Sequence, residues 1–137
     1  MGTVRKIGVG VAAGVAAGLV AGLVARLMMR LATVAGDGAT SFSLAGTAGI
    51  VAMFVVAAVP GAILASLVAH RWRAALLVVG SLFLCLPATG VASEDLGHLT
   101  GLSALQWVGV ALATLGVYAA ILAMPWMALR LLALRRA

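Results

Sequence analysis

Six polar residues hold whatever chemistry this chain can perform: Arg26, Arg30, Asp37, Glu94, Asp95 and His98. Two arginines about one helical turn apart can clamp a carboxylate or a phosphate, because guanidinium stays charged and offers paired donors. Glu94 and His98 are four residues apart, a spacing that puts both on one face of a helix and could offer two ligands to a divalent metal. Structural and catalytic metal sites take three or four donors of suitable type. With one histidine and no cysteine in this cluster, no metal and no cofactor are expected. His98 beside a carboxylate has the residue type of a general base, but no nucleophile motif accompanies it. The six are expected to form one ligand-binding cluster, with the arginines held by loop carboxylates or by lipid phosphates.

These residues are positioned by long apolar elements. Ile7 to Val34 reads as one helix with Gly10, Gly14, Gly18 and Gly22 at a four-residue step that continues onto Arg26 and Arg30. Helices in lipid associate through close backbone approach at small residues, so the four glycines are a helix-packing face. A four-residue step overshoots one turn by roughly 40°, so the ridge winds and need not meet a single neighbour throughout. About 20 residues cross the hydrocarbon, which brings a chain entering at Ile7 to its far edge near Arg26. The same run, ending in Leu23-Val24-Ala25, resembles a secretory signal. It is longer than the usual apolar region of about 7 to 15 residues and continues through Arg26 with no polar segment, so cleavage is not expected.

Of 137 residues, 65% are hydrophobic and 9% charged, and a water-soluble domain with so few charges would aggregate. The net charge of +6 does not point to nucleic acid, because the basic residues flank apolar spans rather than forming a patch. Cys85, the one cysteine, lies in an apolar run and reads as a buried inert thiol. The Arg-over-Lys bias and the abundance of Ala, Gly, Val and Leu suit a GC-rich bacterial genome.

Taken in order, the chain gives four spans of about 7–34, 48–69, 74–91 and 103–124. Residues 35–47 form a Gly, Ser and Thr-rich loop holding Asp37, with Ser43 or Thr47 as cap of the second span. Pro60 removes a backbone donor and releases the carbonyl of Val56. His70-Arg71-Trp72-Arg73 is a basic hairpin with an interfacial tryptophan. Pro87 distorts the end of the third span, and Glu94 and Asp95 follow in a second polar loop. Ser103 and Gln106 have capping-box spacing. Trp107 and Trp126 lie 19 residues apart in the sequence, about 28 Å of helix, and read as anchors at the two interfaces. Pro125 marks a kink before the basic tail Arg130, Arg135 and Arg136. Tyr118 is expected to bond a carbonyl or a small polar neighbour. The polar groups within the spans are too few for an ion pore in one copy.

Seven basic residues with no acid fall on one side, and Asp37, Glu94 and Asp95 on the other, so both termini are expected in the cytoplasm. The expected architecture is all-α, a polytopic bundle of four transmembrane helices in a single domain, in a bacterial cytoplasmic membrane. The run Ala25 to Leu31 followed by Phe42-Ser43-Leu44-Ala45-Gly46-Thr47 resembles small four-helix membrane proteins of actinobacteria. The resemblance covers about a third of the chain and implies the fold, with no assigned activity. The expected function is an oligomeric or accessory scaffold subunit, packing through its Gly face onto a second copy or a membrane-protein partner and binding lipid headgroups. The alternative is a membrane-embedded enzyme or carrier for a small lipophilic or anionic molecule at the outer leaflet.

Overall fold

A computed structural model describes residues 2–36, 43–68, 70–97 and 100–134. It holds four helices: α1 (Thr3–Ala35), α2 (Leu44–Leu67), α3 (His70–Gly97) and α4 (Ala104–Leu134). All four are long and apolar enough to cross a membrane. They run up and down in a ring: α1 lies beside α2 and α4, α3 lies beside the same two, and α1 and α3 sit on a diagonal, with no close backbone approach among the described residues.

Local signals set the starts. Ser43 caps α2, its hydroxyl accepting from Gly46 N–H at 3.1 Å. Ser103 and Gln106 form the reciprocal box at α4: Gln106 Oε1 accepts from Ser103 N–H at 2.8 Å, and Ser103 Oγ accepts from Gln106 N–H at 3.3 Å. Gly101, at φ 79°, turns the chain between α3 and α4, a conformation that a Cβ disfavours.

Two helices outrun the sequence expectation. The third does not stop near residue 91 but continues to Gly97, so Glu94 and Asp95 belong to its last turns and not to a loop. The fourth passes through Pro125 to Leu134. A helical proline forfeits one backbone bond, and beyond Pro87 two hydroxyls bond back within α3: Thr89 Oγ1 donates to the Cys85 carbonyl at 2.8 Å and Ser93 Oγ to that of Gly90 at 2.8 Å.

The glycine ridge meets one neighbour along its whole length, and that neighbour is in the same chain. A Cβ built on Gly10 would lie 2.8 Å from Ile63 Cα; on Gly14, 2.7 Å from Val59 Cα; on Gly18, 2.7 Å from Val55 Cα; on Gly22, 3.0 Å from Val51 Cα. Each step of four up α1 is matched by a step of four down α2, so the two rows wind together and stay in contact, the arrangement in which four-residue ridges of both helices interlock. The expectation that this face receives a second copy is therefore corrected: α2 already fills it. Ala13, Ala17, Ala21 and Ala25 form a second buried row on α1.

Against α4, Met28 lies opposite Gly116 and Ala35 opposite Gly109. Continuing that antiparallel count brings Trp126 level with Gly18, in the middle of the apolar run of α1. The two tryptophans therefore do not bracket the same slab as Ile7 and Arg26.

Candidate functional site

The next step of the α1–α2 register after Gly22 and Val51 is Arg26 and Thr47. Glycine gives way to arginine one turn from the start of α2, where the backbones no longer have to touch. Arg26 Nε donates to Thr47 Oγ1 at 3.2 Å, and Thr47 Oγ1 donates in turn to the Ser43 carbonyl at 3.1 Å. The guanidinium lies against the first turn of α2, and a Cβ on Gly46 would sit 3.6 Å from Arg26 Nη2. Arg26 is half-buried. Its Nη groups make no hydrogen bond among the described residues. A cation beside the positive end of a helix gains nothing from the dipole, so an anion placed there would be attracted by both. Arg30, one turn on, is half-buried and engaged.

The same level of the bundle holds a second polar pair. Counting along α4 from Gly116 opposite Met28 puts Tyr118 level with Arg26. Its hydroxyl is 2.7 Å from Thr89 Oγ1 on α3. The Thr89 proton already goes to Cys85, so the phenol donates to Thr89. Each helix thus contributes one polar side chain to a single tier: Arg26, Thr47, Thr89 and Tyr118.

Of the six residues singled out above, Arg26 and Arg30 stand on α1 at this tier and just past it. Glu94 and Asp95 are carried by the end of α3 on the same end of the bundle; Asp37 and His98 lie outside the described residues. Among the described residues, no three His, Cys, Asp or Glu side chains converge. Thr47 and Thr89 were not singled out as site residues. The signal for Thr47 was the glycine spacing itself, which reaches Arg26 at the point where α2 must supply a partner.

Together, four apolar helices of spanning length and charged residues gathered at their ends define a multi-pass membrane protein. Comparison with known proteins finds no matching family model, no matching curated protein and no matching solved structure.

Proposed function

We propose that this protein is a non-enzymatic subunit of a bacterial cytoplasmic membrane, with both termini inside, whose Arg26 corner binds the phosphate of outer-leaflet lipids. The observation that carries this reading is Arg26 oriented by Thr47 at the first turn of α2, with its Nη groups making no hydrogen bond among the described residues. Membrane placement supports it. If Trp107 and Trp126 marked the edges, Arg26 and Arg30 would sit well inside the hydrocarbon, where a central arginine costs about 2.5–3.5 kcal/mol even on the lenient insertion scale. If Lys6 and Arg26 mark them instead, the same count moves Trp126 and one arginine, Arg130, inward, against two arginines in the other placement. Arg5, Lys6, Arg71 and Arg73 then gather at one edge, and the tier lies at the other, in the headgroup layer. Arg130 is exposed on α4 and level with Gly14, about 12 Å from the Lys6 edge, a distance that a snorkelling stem shortens.

The resemblance to small actinobacterial membrane proteins is compatible with such a subunit. Because the glycine face is closed by α2, a second copy or partner would dock elsewhere, and the outer side of α3 is the least covered surface. Native mass spectrometry from nanodiscs containing phosphatidylglycerol tests the proposal. Wild type is expected to retain bound phospholipid, with retention falling several-fold in Arg26→Ala. Equal lipid retention in the variant, or a persistent non-lipid mass lost on Arg26→Ala, overturns it.

A further inference from the structure

The lipid-facing side of α2 and α3 contains a groove of about 500 Å³, with Pro60 on one wall and Pro87 on the other. A proline at position i leaves the carbonyl at i−4 without its helical donor, which frees the carbonyls of Val56 on α2 and Phe83 on α3. Both residues line this groove. Gly61 lies opposite Leu77, and the antiparallel count from there brings Val56 opposite Leu82 and Phe83 opposite Val55. The two freed acceptors therefore stand within about one residue of the same level, on facing helices, near the middle of the spans.

No lining side chain carries a nitrogen or an oxygen, so any polar atom that reaches the groove is backbone. The nearby hydroxyls and thiol do not satisfy these carbonyls: Ser66 donates to Ile63, Ser81 to Leu77, and Cys85 to Ser81. Lipid tails offer no donor, and an unsatisfied backbone group in hydrocarbon costs several kcal/mol. The volume is in the range that accepts a small organic molecule.

We infer that this groove is a binding site for a lipophilic alcohol or phenol, whose apolar body lies between Pro60 and Pro87 and whose hydroxyl donates to the Val56 or Phe83 carbonyl. The site is separate from the Arg26 corner and does not depend on it. Gly80 keeps the floor open, since a Cβ there would meet nothing within 4 Å.

The test uses the full-length protein in nanodiscs and a matched pair of probes, farnesol and its methyl ether, competing against a photoactivatable farnesol analogue mapped by mass spectrometry. Labelling is expected on α2 and α3 at the groove, with the alcohol competing about tenfold better than the ether, as one hydrogen bond in an apolar site allows. Pro60→Ala with Pro87→Ala restores both helical donors without introducing a clash, and should remove the preference while leaving the helices intact by circular dichroism. Gly80→Leu fills the groove and should abolish labelling by steric exclusion. Equal competition by alcohol and ether in wild type overturns the inference, as does a preference that survives both proline replacements or labelling that survives Gly80→Leu.

Discussion

The α1–α2 seam and the α2–α3 groove share a helix and differ in nearly everything else. In the seam, backbone meets backbone: four glycines face Val51, Val55, Val59 and Ile63, with no room for one methyl group. Across the groove, Pro60, Gly61, Gly80 and Pro87 line an open gap, and Val56, Val79, Phe83 and Leu86 face outward, 63–74% exposed. The apolar window of α1 is 39% buried and that of α3 only 17%. In lipid, burial brings no hydrophobic gain between helices, so packing depends on close approach. One face of α2 is therefore committed to the fold, and the other is available for a ligand.

The contrast is broken most directly in the seam. Gly18→Ala should lose about 1–3 kcal/mol, the range for overpacking a fitted contact, because its methyl would stand 2.7 Å from a Cα that cannot move alone. Gly90→Ala on α3, where a Cβ meets nothing within 4 Å, should show no loss. Reversible unfolding in mixed micelles reads both, and equal effects would erase the distinction. Next in size, Thr47→Val should lose about 1 kcal/mol by removing the acceptor of Arg26 and the donor to Ser43, while Thr33→Val, whose hydroxyl bonds only within α1, should lose less. Tyr118→Phe is expected to cost about 0.6 kcal/mol, the average for an interhelical hydrogen bond in a membrane, measured in the same assay. Smaller than these, Gly116→Ala should cost only a few tenths of a kcal/mol, about the scale of a contact that can relax. The atoms its Cβ would meet are Met28 Sδ at 2.6 Å and Cγ at 2.9 Å, both on one unbranched side chain that can change rotamer.

Much of this is legible in the sequence. Four apolar runs give four helices, the serines at 43 and 103 mark two starts, and the four-residue glycine step marks a packing face. The partner of that face was not legible, because a row of Val and Ile in an apolar helix carries no distinguishing composition. The ends of α3 and α4 lie beyond the expected ones for a common reason: Pro87 reads as a distortion and Pro125 as a kink, yet each removes only one hydrogen bond from helices of 28 and 31 residues. The tryptophan spacing matched a bilayer by length alone, and only the register against α1 shows that Trp126 and Lys6 stand at different heights.

The seam joins helices that are neighbours in the chain, separated by one short connection. During synthesis its contacts can close as soon as α2 has left the ribosome, before α3 and α4 exist, and the bundle is completed only when α4 returns to α1. The amino-terminal half would then act as a template on which the carboxy-terminal half is laid. The chain should accordingly tolerate a break between Leu67 and His70: co-expressed halves are expected to co-purify, and to separate when Gly14 and Gly18 are both replaced by leucine.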